Sequence, residues 1–233
     1  MSRPRRRAEK PVLSQELVVK TALDLLAAEG LEAVSMRRVA QALETGPASL
    51  YAHVANKEEL HELMVDHVLA FGPFPEPDPE HWVEQAKELL RDNVRALTSV
   101  PGIAKIAWAI PVPVGANALQ QAEAMLAVLR AGGLDLKRAL FAADALWLYA
   151  KAFAYEGAGW QHGDIDLAEQ EERGNRMVEY LTSFPPGAFP NLLASGEYFT
   201  AETAQERFEF AIDLFLRGLA SRVSSIQSRV SSV

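Results

Sequence analysis

The chain of 233 residues contains no cysteine. That excludes a disulfide framework, a thiolate metal site and a cysteine nucleophile. It fits a reducing compartment, and the expected location is the cytoplasm. No apolar run is long enough to span a bilayer, and no apolar core follows the basic N-terminus as it would in a signal peptide. No membrane partner is therefore expected. Strand alternation is missing along the whole length, which leaves an all-α fold. Paired carboxylates, a glycine-rich phosphate loop and triad spacing are also absent, so no catalytic residue is expected and the chain is read as a non-enzyme. Only 5 histidines occur. His61 and His67 are six apart and point to different sides of a helix. Neither a metal site nor a cofactor is expected.

A positive overall charge is lacking too: the net charge is −8, a balance that phosphate repels. The distribution reverses that reading. Residues 1–57 carry nine Lys/Arg against six Asp/Glu, and the remainder carries fourteen against twenty-five. The basic excess is confined to one end, where a nucleic-acid partner is to be sought. It starts in an arm over residues 1–13 that includes Arg3, Arg5, Arg6 and Arg7. The arm is expected to be disordered, with phosphate or minor-groove binding as the other use of its arginines.

What is present at that end is a pair of helical patterns joined by a short break. Ser14 can cap a helix with the stripe Leu17, Val18, Thr21, Ala22, Leu25 and Leu26, ended by Gly30. Ser35 caps a second, whose Met36, Val39, Ala40 and Leu43 share one face. Gly46 and Pro47 suit the N-cap and first position of a third. Leu50 and Val54 point back to the core. Pro47, Ala48, Ser49, Tyr51, Ala52 and His53 are then left outward. Two helices across a tight turn, the second with a small polar outer face, make a helix-turn-helix whose second helix enters the DNA major groove. Asn56 caps a fourth helix, with Glu59 at capping-box spacing.

These residues carry a resemblance. Glu29-Gly30, Val39-Ala40, Leu50-Tyr51, His53-Val54 and Asn56-Lys57-Glu58-Glu59-Leu60 resemble the DNA-binding domain of the tetracycline-repressor (TetR) family. The resemblance implies that Arg37, Pro47, Ala48, Ser49 and Tyr51 face base edges, and that Ser35, Thr45, His53 and Lys57 hold phosphates. Arg37 is the candidate for bidentate guanine contact. The family usually has Gly where Glu44 stands, so a left-handed Glu44 would cost roughly 1–2 kcal/mol.

Prolines at 73, 75, 77 and 79 break any helix. They divide a domain over 14–72, including its connecting helix, from a helical body over 80–223, with 73–79 as linker. Within the body the helical stretches are 82–99, 103–110, 116–131, 135–157, 166–183 and 200–223. Residues 184–199 read as loop, and 224–233 as a disordered tail. The stretch 135–157 is apolar almost all round, so one face meets the core and another a partner subunit. Leu148, Phe208 and Phe215 are assigned to that homodimer interface. The family resemblance implies that an effector binds in the body. Trp108, Trp147, Tyr149 and Met64 are the candidates to line its pocket. The tetracycline repressor uses a histidine in the comparable region for a drug–magnesium complex, whereas here no histidine lies between His81 and His162. A mostly hydrophobic effector is expected instead. The function so read is a ligand-responsive transcriptional repressor that binds double-stranded operator DNA as a homodimer. The alternative is a helical binding protein or enzyme whose head only resembles a helix-turn-helix.

Overall fold

A computed structural model describes residues 12–161, 167–195, 198, 200 and 202–230. Most of the N-terminal arm and residues 231–233 lie outside the described residues. Among the described residues there are eleven α-helices, one 3-10 turn and no strand.

The head is built by local capping. Helix α1 (Gln15–Glu29) begins where the Ser14 hydroxyl accepts from Leu17 N–H, and ends where Gly30 takes φ 82. Helix α2 (Met36–Ala42) begins on Ser35, whose hydroxyl accepts from Arg38 N–H. Helix α3 (Pro47–Leu50) has Gly46 as N-cap and Pro47 in its first turn. It is a single turn, shorter than the outward face Pro47–His53 expected for it, and residues 51–53 continue as turns. Helix α4 (Lys57–Val68) starts on Asn56, whose side chain accepts from Glu59 N–H at 2.7 Å. The Glu59 carboxylate accepts from Ala55 N–H, one residue earlier than a capping box would place it.

Helices α5 (Trp82–Leu97), α6 (Ile103–Ala109), α7 (Ala116–Ala131) and α8 (Leu136–Gln161) form the centre of the body, with α9 (Leu167–Thr182), α10 (Pro190–Ser195) and α11 (Ala204–Val230) after them. Helix α10 corrects the loop expected over 184–199: Pro190 opens it at the position where a missing N–H costs least. Helix α11 continues past Val223 into the stretch expected to be disordered. Leu13, placed in the arm, instead packs against the head core.

Two hydrophobic clusters hold the molecule together. One joins Leu26, Val39, Leu50, Leu60 and Met64 of the head to Leu97, Ile103 and Ile106 of the body. The other unites Leu90, Met125, Leu129, Leu146, Phe208, Ile212 and Leu216 of α5, α7, α8 and α11. Helix α4 therefore shares a core with α6 and is packed on the body, not tethered by the linker alone.

Candidate functional site

The surface expected to face DNA rests on the turn between α2 and α3. Thr45 N–H donates to the Ala40 carbonyl at 2.9 Å and Glu44 N–H to the Gln41 carbonyl at 3.0 Å. Glu44 takes φ 48, the left-handed conformation anticipated at this position. Leu50 and Val54 are buried beneath α3. That leaves Pro47, Ala48, Ser49, Tyr51 and Lys57 exposed beside Arg37, while Ser35, Thr45 and His53 are half-buried around them. The nine side chains assigned to DNA all lie between Ser35 and Lys57, and none of them is buried. Gln15 of α1 donates to the His53 carbonyl at 3.1 Å and pins the end of the recognition segment.

Two neighbouring arginines are sorted by their partners. Arg38 is bound to Glu29 through both ends of its guanidinium, and that hydrogen bonding raises its pKa. Arg37 is exposed and makes no ion pair among the described residues. A guanidinium without a carboxylate partner is the one available to a base edge or phosphate.

The second feature is a cavity of about 410 Å³ in the body. Its walls come from Val65 of α4 and its C-cap Leu69, Leu97 of α5, Ile110 to Pro113, Leu119, Ala122 and Leu126 of α7, and Leu140, Ala143 and Trp147 of α8. Four polar side chains interrupt this lining: Asn93, Gln121, Asp144 and Lys151. Asn93 Nδ2 donates to Gln121 Oε1 at 3.0 Å, and Gln121 Nε2 donates to the Leu69 carbonyl at 2.6 Å. This buried relay runs from the cavity wall to the end of α4. Below it, Asp66 of α4 accepts from Ala118 N–H at 3.0 Å and from Asn117 Nδ2 at 3.1 Å, and so caps α7. Gly115 lies so close to Asp66 that a Cβ there would stand 2.1 Å from the carboxylate.

Of the side chains expected to line a pocket, Trp147 lines this cavity, and Met64, Trp108 and Tyr149 do not. Met64 is fully buried in the core that joins head and body, while its neighbour Val65 also lines the cavity. Trp108 is 47 % exposed and stacks on Tyr155 at 5.5 Å, outside the cavity. Tyr149 stacks on Phe208 at 5.8 Å on the other side of α8. One interface assignment, Phe208, also shifts. Phe208 is 1 % exposed and belongs to the chain's own core, whereas Phe215 is 45 % exposed and remains on the surface. Leu148 is exposed and also edges the cavity. The sequence reading missed Asn93, Gln121, Asp144 and Lys151. The signal available for them was a polar residue inside an otherwise apolar helical stripe.

Comparison with known proteins settles the class. The family model "Tetracyclin repressor-like, C-terminal domain" matches residues 74–223, and the model "Bacterial regulatory proteins, tetR family" matches residues 18–64. The chain belongs to the TetR family. It is a ligand-responsive transcriptional repressor of that family. It is 34% identical over 222 residues to the HTH-type transcriptional repressor DrrR1 of Streptomyces coeruleorubidus, which covers 91% of this chain and 79% of that protein. The crystal structure of apo ActR from Streptomyces coelicolor superposes with a TM-score of 0.80 at 36% identity, covering 93% of this chain and 99% of that one. ActR in complex with actinorhodin also gives a TM-score of 0.80, at 38% identity, covering 91% and 99%. Proteins of the family are regulators and generally not enzymes. No helix among the described residues is long and apolar enough to cross a membrane.

Proposed function

We propose that this TetR-family regulator binds operator DNA as a homodimer and releases it when a mostly apolar molecule fills the body cavity. The observation that carries this reading is the cavity's position. Its walls include Val65 and the C-cap Leu69 of α4, the helix whose other end is Lys57 beside the recognition segment. Anything that moves α4 at the cavity therefore moves the head. The effector's chemistry follows from the lining. Aliphatic walls and Trp147 favour an apolar body, and Asn93 and Gln121 offer a few oriented hydrogen bonds, as is usual for small-molecule sites. ActR has been solved with actinorhodin, which makes that compound a first probe. The effector must prefer the conformation that binds DNA poorly, since equal affinity for both states shifts nothing.

On the DNA side, the readers are Arg37, Pro47, Ala48, Ser49 and Tyr51, with Ser35, Thr45, His53 and Lys57 on phosphates. Two heads must then sit about 34–36 Å apart, or a multiple, to read a two-fold site. The interface that spaces them is the exposed apolar side of α8 and α11, including Phe141, Leu148, Leu214 and Phe215.

The test uses fluorescence anisotropy of a labelled duplex from the DNA upstream of the protein's own coding region. Actinorhodin heads a panel of flat, largely apolar compounds. Binding should weaken with salt and be reversed by at least one of them. Ala122→Trp, which fills the cavity, should bind DNA normally and resist release. Equal sensitivity of Ala122→Trp and wild type would remove the cavity from the mechanism.

A further inference from the structure

One cation lines the cavity, Lys151, and no carboxylate among the described residues pairs with it. Lys151 reaches the cavity from α8, near the end of α6. Its ammonium is half-buried and donates to the Ile110 carbonyl at 3.1 Å. No carboxylate among the described residues lies within ion-pair distance of it. Asp144 lines the cavity from the same helix, two turns earlier, and is exposed. Burial pulls the pKa of Lys151 below its usual value, and no opposing charge restores it.

This arrangement has a physical cost. A charge removed from water and given one neutral acceptor is under-compensated. The buried Lys87 is treated differently. Lys87, buried between α5 and α11, is paired with both Glu84 and Asp213. Lys151 instead shares the cavity lining with Val112, Leu148 and Trp147, where the low polarity of the walls strengthens any interaction between its ammonium and an incoming anion. We propose that Lys151 is the specificity-determining residue of the effector site, and that it selects effectors carrying an oxyanion, such as a carboxylate or ionised phenol, on an apolar frame. The anion sits at the α6 end of the cavity, away from the like charge of Asp144. It takes the ammonium from the Ile110 carbonyl, at the start of the 110–115 loop that leads to Gly115 and Asp66. This inference rests on the cavity reading above.

The test uses two matched fluorescent probes, 1-anilinonaphthalene-8-sulfonate and its neutral counterpart N-phenyl-1-naphthylamine. Each is titrated into the full chain as wild type, Lys151→Met, Lys151→Arg and Ala122→Trp. Lys151→Met should weaken the anionic probe about tenfold, the loss of one charge-assisted contact, and leave the neutral probe within about twofold. Lys151→Arg should restore anion binding. An equal loss for both probes would show that Lys151 only holds α8 to α6 and would overturn the proposal. So would anion binding unchanged in Lys151→Met. Probe binding that Ala122→Trp leaves untouched would overturn the cavity reading itself, and the oxyanion anchor would fall with it.

Discussion

Glu44 shows what one residue costs this head. Its φ of 48 places a side chain where an L-residue loses roughly 1–2 kcal/mol. Glycine adopts that conformation freely but gives the unfolded chain more freedom, which returns part of the gain. Glu44→Gly should therefore stabilise the protein by about 0.5–1 kcal/mol in denaturant unfolding. A loss of stability would mean that the Glu44 side chain contributes more than its backbone strain removes. Arg37 and Lys57 separate on the DNA side. Arg37→Ala should flatten base preference at one position of the operator, worth ~1–3 kcal/mol. Lys57→Ala should weaken all sequences alike and lower the salt slope by about 0.9. A selection experiment on randomised duplexes at two salt concentrations checks both. Unchanged preference in Arg37→Ala would defeat its role as a base reader. The local features of the head were legible in the sequence because each depends on residues three or four apart: Ser14, Ser35 and Asn56 cap the helices expected of them, and Gly46-Pro47 opens α3. The cavity was not legible. Lys151, Gln121 and Asn93 become site residues only when α5, α7 and α8 assemble, and no local pattern reports that assembly. Trp108 sits on a short helix with prolines on both sides, and which face of a seven-residue helix turns outward is decided by its neighbours.

Between elements, two polar contacts decide how the body is held. Asp66 lends its carboxylate to the N-terminus of α7, which has no side-chain cap of its own. Asp66→Ala should cost about 1 kcal/mol, as loss of a helix cap does. It should also change DNA affinity, because it unties α4 from α7. Gly115→Ala attacks the same latch from the other side by driving a methyl into Asp66. If both variants are destabilised yet bind DNA as wild type does, the latch is structural only. The second contact is the clasp of α5 on α11. Arg91 donates to both oxygens of Glu209 at 2.8 Å, and Lys87 Nζ donates to Asp213 at 2.6 Å. These hydrogen bonds hold the pKa values of Glu209 and Asp213 below their ordinary 4.5 and 3.8. A carboxylate whose pKa is lower folded than unfolded binds fewer protons in the native state. Its contribution is complete above the ordinary value and is lost as pH falls through the depressed one. Melting temperature should accordingly drop as the pH is taken below about 4. Glu209→Gln should lower stability at neutral pH and make the acid limb shallower. An acid limb identical in Glu209→Gln and wild type would show that other carboxylates dominate it.

For the whole molecule, the exposed apolar surface is the strongest constraint. Helix α11 turns Phe208, Ile212 and Leu216 inward, while Phe210, Leu214 and Phe215 stay outward. Leu136, Leu140, Phe141 and Leu148 extend the outward set along α8. A soluble monomer seldom leaves so many large apolar groups uncovered on two helices, and two-fold pairing of the same surface is the commonest way to cover them. The two sides of α11 therefore predict opposite failures. Leu214→Glu and Phe215→Glu put a charge on the outward side, so the chain should stay folded and become monomeric in sedimentation at micromolar concentration. Phe208→Glu puts the charge into the core among Tyr149 and Phe153, so it should fail to fold, with the loss of several kcal/mol that burying an unpaired charge entails. A folded monomer has one head, so Phe215→Glu should keep the salt-dependent affinity of a single domain and lose the gain that a second half-site provides. Leu148 is excluded from this test because it also edges the cavity, and a charge there would confuse subunit contact with effector binding. A Phe215→Glu protein that remains dimeric and binds the full operator with wild-type affinity would move the interface elsewhere. The α4 lever would then have to act on heads spaced by another surface, and a coupling of roughly 1–3 kcal/mol, ~5–150-fold in DNA affinity, would have to cross that surface instead of α8 and α11.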